Sequence, residues 1–178
     1  MARPNVKRLQ GSEHSENMPP RTAAKEPAIA VMHESRTLTI RIARPWRDVY
    51  DFLAEPRNLG LWASGLSRTP LVHGHGGLWI AETPDGRMKV AFPGRNAFGV
   101  ADHSVITPSG ETIEVPIRVI ANGEGAEVLF TLFCLPGMTP EKFAADAEWV
   151  KRDLATLKQL LEDQTLPEDE KPPGEPTA

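Results

Sequence analysis

The sequence lacks the features that mark several large classes of protein. It has a single cysteine, Cys134, which excludes an internal disulfide and a cysteine-rich metal site. No apolar run approaches the roughly 20 residues needed to cross a bilayer, so no membrane insertion is expected. An excess of one charge is also missing, because 20 basic residues are balanced by 24 acidic ones. A net charge of -4 gives no electrostatic reason to expect nucleic acid as a partner.

Motifs for cofactors, metals and export are missing as well. The chain has no glycine-rich phosphate loop, nucleophile elbow or zinc-hydrolase motif, and we predict no cofactor. His73 and His75 lie in an HGHGG segment, but two histidines need a third ligand to hold a metal. We therefore predict a flexible loop there and no metal site. No apolar stretch follows the basic residues near the N-terminus, which favours a cytoplasmic location.

Both ends of the chain are polar and rich in proline. Residues 1–34 are enriched in Pro, Glu, Ser, Asn and Lys, and residues 164–178 read QTLPEDEKPPGEPTA. Such segments bury too little apolar surface to offset the conformational entropy lost on folding. We therefore predict one folded domain, residues 35–163, between two disordered segments.

The folded segment has the pattern of a strand, two short helices, a run of antiparallel strands and one long helix. Residues 37–42 alternate apolar and polar side chains, and Pro45 and Pro56 mark the beginning and end of the first helix. Turn sequences PDGR, PSG and NG separate the later strands, which include predicted strands over 98–107, 111–121 and 126–134. Thr139 is a good N-cap for a final amphipathic helix. Layer packing then predicts an α+β fold with this helix lying across a curved antiparallel sheet.

Four stretches of the chain resemble the SRPBCC superfamily, which includes START-like and polyketide cyclase-like proteins, and in particular a bacterial subgroup of it. They are TLTIRIARPWRDVYDFLAEPRNLGLWASG, RNAFGVADH, PIRVIANGEGAEVLFTLF and WVKRDLATLKQLLE. The resemblance covers about residues 35–162. It implies a helix-grip fold, in which a curved antiparallel sheet wraps around a long C-terminal helix and two short helices follow the first strand. Members of the superfamily include ligand carriers, cyclases and dehydratases, and heat-shock ATPase activators.

The alternation of side chains assigns the strand residues to two faces. Pairing Ile106 with Glu111 across the intervening turn places Asp102 and Ser104 on the apolar face, and His103 on the solvent side. A buried carboxylate is costly unless it is paired, so Asp102 is a candidate acid or base. The alternative is that it caps a loop amide, pairs with an arginine such as Arg95, or lies at the rim of the sheet. In the next hairpin we pair Ala121 with Glu124. On the solvent side we then predict the charge pairs His103–Glu114, Arg118–Glu127 and Glu82–Lys89.

An almost wholly apolar inner face predicts a cavity that binds a small hydrophobic or aromatic molecule. The expected ligand contacts are Trp62, Trp79, Phe92, Phe98, Val100, Asp102, Ser104, Val115, Ile117, Phe130, Val150 and Leu154. One alternative is an enzyme of the cyclase or dehydratase type that uses Asp102 as acid or base. A second is an interaction module resembling the heat-shock ATPase activators, which would use the surface of the sheet. The oligomeric state does not follow from the sequence.

Overall fold

The computed structural model describes residues 32–66, 69–84 and 86–163. The two predicted disordered segments lie outside this part of the chain, apart from residues 32–34. Strand β1 spans Ser35–Ile42 and is followed by helix α1 (Trp46–Leu53), a 3-10 turn (Pro56–Asn58) and helix α2 (Leu59–Trp62). The later strands are β2 (Val72–His73), β3 (Trp79–Thr83), β4 (Gly86–Ala91), β5 (His103–Ile106), β6 (Thr112–Val115), β7 (Ile117–Asn122) and β8 (Gly125–Phe133). A second 3-10 turn spans His75–Gly77, and helix α3 spans Pro140–Glu162.

The helices begin and end where their local signals predict. Pro45 precedes α1 in the N-cap position, and Pro56 opens the 3-10 turn that follows α1. At the start of α3, the Thr139 hydroxyl accepts a hydrogen bond of 3.2 Å from the Lys142 amide. Pro140 occupies the first helical position, where a missing N–H costs nothing. The long C-terminal helix is therefore as predicted.

In the described part of the chain, the strands form two antiparallel sheets, ordered β1-β8-β7 and β2-β3-β4-β5-β6. The sequence predicts one continuous strand over 111–121, but Pro116 divides it into β6 and β7. Proline cannot donate to a ladder hydrogen bond, so β6 stays with β5 and β7 joins β8. The Pro116 carbonyl accepts a hydrogen bond of 3.0 Å from the Thr131 amide in β8. Pro116 is thus the point at which the chain passes from one sheet to the other.

The strand predicted over 98–107 also begins later than expected, at His103. Gly99 has a left-handed backbone with φ 67°, and a Cβ atom there would lie 2.1 Å from the Val119 carbonyl oxygen. The Gly99 carbonyl accepts a hydrogen bond of 2.8 Å from the Val119 amide. This close approach of the backbone to β7 turns the chain and leaves only an isolated bridge, Val100–Arg118, ahead of β5.

The register of the β5–β6 hairpin corrects the predicted faces. Ile106 pairs with Thr112 and not with Glu111, because Thr107 and Glu111 close a three-residue loop in which Gly110 has φ 88°. A shift of one residue moves every side chain of a strand to the opposite face. His103 therefore points inward, and Ser104 lies on the outer face opposite Glu114.

The other two hairpins keep their predicted faces but change partners. In β7–β8, Ala121 pairs with Ala126, two residues away from the predicted Glu124, so Arg118 lies opposite Leu129. The three predicted cross-strand charge pairs are therefore wrong, namely Arg118–Glu127, Glu82–Lys89 and His103–Glu114. The structure instead has Arg41–Glu127 at 3.9 Å and Arg87–Glu82 at 2.8 Å on exposed faces.

The core lies between the sheets and the inner face of α3, which packs on β1 and α2. Its most deeply buried side chains include Val49, Val90, Val128, Leu157 and Leu161, each with no exposed surface. Within the described residues, no helix combines the length and the apolar character required to traverse a bilayer.

Candidate functional site

A cavity of about 840 Å³ lies between the five-stranded sheet, the end of α2 and the inner face of α3. Its wall is mainly apolar, with Met88, Val105 and Ile113 on the sheet side and Leu59 and Leu66 at the α2 end. This volume falls within the usual range for pockets that hold small molecules.

The structure brings only part of the predicted contact set to this cavity. Four of those residues line it: Trp62, Val115, Phe130 and Val150. Four others lie in the packed core or against it, outside the cavity wall: Trp79, Phe92, Ile117 and Leu154. Phe98 is 82% exposed and Val100 forms the bridge to Arg118, because Gly99 turns this segment away from the interior. Ser104 donates a hydrogen bond of 2.7 Å to Glu114 on the outer face.

Asp102 does not face the cavity, which corrects the predicted position of the acid. Its carboxylate forms an ion pair with Arg118 and accepts a hydrogen bond of 2.8 Å from the Ile117 amide. The side chain is 36% exposed. The predicted alternative, an ion pair between Asp102 and an arginine, is therefore present, but the arginine is Arg118. Arg95 pairs with Asp51 instead.

Replacing Asp102 with asparagine should change the free energy of unfolding by less than about 1 kcal/mol, since exposed ion pairs contribute little. The asparagine oxygen can still accept the bond from the Ile117 amide. Urea titration at pH 7 measures this, with Asp51→Asn, from the exposed pair with Arg95, as the matched control. A loss of several kcal/mol for Asp102→Asn alone would contradict the surface placement.

His103 is the buried polar residue that the sheet presents to the cavity. It is 5% exposed, and its ring stacks on Phe92 with the ring centroids 5.2 Å apart. Burial lowers the pKa of the imidazole to about 4, against the opposing influence of a hydrogen bond with the Ala101 backbone and of the nearby Glu114 carboxylate. The ring is therefore uncharged at neutral pH. The predicted register, with Ile106 opposite Glu111, is one residue off and therefore places His103 on the solvent side.

Asp153 is the buried polar residue that α3 presents to the cavity, and it is 7% exposed. Its carboxylate accepts hydrogen bonds from the Ser64 hydroxyl (2.7 Å), the Ser64 amide (3.2 Å) and the Gly65 amide (3.4 Å). Burial raises the pKa of Asp153, and these hydrogen bonds partly offset that rise. We call this contact the Asp153 clasp; Trp149 extends it by donating a 3.1 Å bond from Nε1 to the Ser64 hydroxyl.

A sequence signal for Asp153 exists. It lies three residues after Val150 and four before Leu157, which is the spacing of the apolar stripe of α3. A carboxylate within such a stripe needs a buried partner. The clasp supplies that partner by joining α3 to the loop that follows α2.

The remaining charged groups lie at the edge of the cavity. Lys142 pairs with Asp146, and Glu82 pairs with Arg87. No group of three or more His, Cys, Asp or Glu side chains within 32–66, 69–84 and 86–163 is arranged to hold a metal ion. The ring of His73 makes an edge contact with Trp79, with centroids 5.2 Å apart.

Together the strand order, the two short helices after β1 and the long final helix define an α+β helix-grip fold. No family model matches the sequence, and no curated protein sequence does so either. Solved structures do match. The Aha1 dimer structure from Colwellia psychrerythraea is 16% identical, with TM-score 0.56, over 72% of this chain and 96% of that one.

Two further similar structures are CalU16 and an Ara h protein. CalU16 from Micromonospora echinospora is 13% identical with TM-score 0.54, over 75% of this chain and 78% of that one. Ara h 8.0201 is 12% identical with TM-score 0.52, over 72% of this chain and 97% of that one. At these identities the likeness establishes the fold and leaves the ligand and the activity open.

Proposed function

We propose that this protein binds a small hydrophobic or aromatic molecule in the cavity between the five-stranded sheet and α3. The observation that carries the proposal is the cavity itself, with about 840 Å³ of space and a mainly apolar wall. Burial of apolar ligand surface supplies the affinity in such a site, and a few polar groups orient the ligand. His103 and Asp153 are the buried polar groups of this wall.

The open cavity favours binding over the interaction-module alternative. A module that used only the outer surface of the sheet would gain nothing from an empty interior, because unfilled space forfeits packing energy. Here Trp62, Phe130 and Val150 border the space without filling it. The wall is therefore better suited to a ligand than to a solid core.

An enzyme of the cyclase or dehydratase type is the second candidate, and His103 and Asp153 would replace Asp102 as its titratable groups. A general base works best when its pKa lies near the operating pH. With a pKa of about 4, His103 is a weak base at neutral pH. The Asp153 carboxylate already accepts three hydrogen bonds from the loop after α2. These assignments favour binding over turnover.

Native mass spectrometry of protein purified from its own host tests the proposal most directly. We expect a complex with one small molecule retained per chain, which is released when the protein is denatured. A homogeneous apo mass, together with no binding of a neutral polarity-sensitive dye, would overturn the binding function.

A pair of matched substitutions tests the position of the site. Val115→Phe should fill part of the cavity, so dye affinity should fall at least about tenfold while the free energy of unfolding changes by less than about 1 kcal/mol. Val128→Phe introduces the same side chain into packed core and should cost about 1–3 kcal/mol. Urea and dye titrations of both variants measure the two effects. Equal destabilisation by both would mean that Val115 borders no usable space.

A further inference from the structure

We propose that the cavity selects ligands that carry a hydrogen-bond donor, namely a hydroxyl or N–H group, and that His103 receives it. This inference rests on the binding function proposed above and specifies its ligand class. It makes His103 the residue that decides which apolar molecules are retained.

The two ring nitrogens of His103 differ in what they can offer a ligand. A neutral imidazole has one N–H donor and one bare acceptor nitrogen. The hydrogen bond with the Ala101 backbone favours the protonated ring, so the backbone group is an acceptor, the Ala101 carbonyl. That bond uses the donor nitrogen. The other nitrogen therefore has only a lone pair to offer.

That lone pair faces the cavity. Among the described residues, Arg44 Nε is the fully buried side-chain nitrogen or oxygen without a hydrogen-bond partner. The acceptor nitrogen of His103 has no protein partner, so it must retain some exposed surface. The residue as a whole is 95% buried and borders the cavity, which is the space this nitrogen faces.

The other polar groups of the wall are mostly occupied as donors. Three side-chain donors of the described wall are already used: the Ser64 hydroxyl on Asp153, Trp149 Nε1 on Ser64, and the Thr83 hydroxyl on the Gly86 carbonyl at 2.8 Å. At the edge of the cavity, Lys142 gives one of its three N–H groups to Asp146. Acceptor capacity remains, because Asp153 Oδ2 receives only the long 3.4 Å bond from the Gly65 amide. The described wall therefore offers acceptors to a ligand.

An acceptor-only ligand is correspondingly disfavoured. A carboxylate placed beside His103 would lose its hydration and would meet the lone pair of His103 and the carboxylate of Asp153, while the N–H groups of Lys142 lie at the edge of the cavity. A hydroxyl group instead gains a hydrogen bond. A hydrocarbon leaves the buried acceptor unpaired, and sites built to pair a polar group discriminate against ligands that lack it.

Three naphthalene derivatives of similar shape test this preference: 2-naphthol, 2-methylnaphthalene and 2-naphthoate. Their affinities follow from displacement of a neutral polarity-sensitive dye at pH 7. We expect 2-naphthol to bind about fivefold to tenfold more tightly than 2-methylnaphthalene, because one additional hydrogen bond typically raises the affinity by about this factor. We expect 2-naphthoate to bind the weakest of the three.

Variants at His103 assign the preference to that residue. His103→Leu should bring the affinity for 2-naphthol down to that for 2-methylnaphthalene, and the circular dichroism spectrum of the variant reports whether the fold is intact. His103→Gln keeps an acceptor and should restore part of the preference. Ser104→Ala, on the outer face of the same strand, should change neither affinity.

The possible failures are distinguishable. If 2-methylnaphthalene binds but the wild-type protein shows no preference for 2-naphthol, the inference is wrong and the binding function stands. Equal losses for both ligands in His103→Leu would likewise overturn it, because the residue would then act only as packing. If none of the three displaces the dye, the binding function fails and the inference fails with it.

Discussion

Replacing Leu154 with aspartate should lower the free energy of unfolding by about 4 kcal/mol or more. Leu154 is 2% exposed on the inner face of α3, where it packs with the core residues of the sheet and α2. A carboxylate there would be desolvated without a cationic partner, and the apolar contacts of the leucine would be lost as well. Urea titration at pH 7, with circular dichroism as the probe, measures the change.

Ala155→Asp is the control for this substitution. Ala155 is the next residue of the same helix and is exposed, so the new charge stays in water. The control should cost no more than about 0.7 kcal/mol, the difference in helix propensity. If Leu154→Asp also changed stability by less than about 1 kcal/mol, the long helix could not cover the sheet in the way described.

The second large effect is a dependence of stability on pH that originates at His103. Its pKa is about 4 in the folded protein and close to 6.5 when the chain is unfolded. Between these values the unfolded chain takes up a proton that the folded ring refuses, so stability falls as the pH is lowered. Between pH 6.5 and pH 4 the free energy of unfolding should fall by about 3 kcal/mol, at about 1.4 kcal/mol for each pH unit.

Comparing wild type with His103→Leu isolates this contribution. Urea titrations at pH 7 and pH 4.5 should show a drop of wild-type stability that the variant largely lacks. Asp153 acts in the opposite sense, because its raised pKa makes its stabilising contribution decline as the pH rises. It is present in both proteins and cancels in the difference.

The control variant is His73→Gln, at an exposed position, which should behave as wild type does. Identical pH profiles for His103→Leu and wild type would mean that the ring is not buried in its neutral form.

Much of the fold is predictable from sequence because its signals are local. The N-cap threonine and first-position proline of α3 act within one helical turn, and its apolar stripe repeats with the helical period. The glycine- and proline-containing turns likewise mark the hairpins. Each of these features depends on residues a few positions apart. The order of elements, the long helix and the helix-grip architecture therefore follow before any coordinates are known.

The cavity wall was less predictable because it depends on contacts between distant residues. The side on which Asp102 and His103 lie depends on whether Ile106 faces Glu111 or Thr112, a difference of one residue that alternation alone leaves open. The turn away from the interior at Gly99 depends on the approach of the Val119 carbonyl, 20 positions along the chain. Asp153 is a different case. Its place in the apolar stripe of α3 was visible, but its partners Ser64 and Gly65 belong to a loop almost 90 residues earlier.

The contact between Gly99 and Val119 has a consequence for how sequences of this fold can diverge. Gly99 is held against β7 at one end of a short segment, and the pairing of His103 with Val115 holds the other end. Point mutations within this segment alter one side chain at a time. Loss or gain of a single codon between the two anchors would instead exchange the faces of β5, taking the imidazole out of the cavity and bringing its neighbour in. Homologues that keep the same interior should therefore vary in the identity of residues 100–102 while conserving their number.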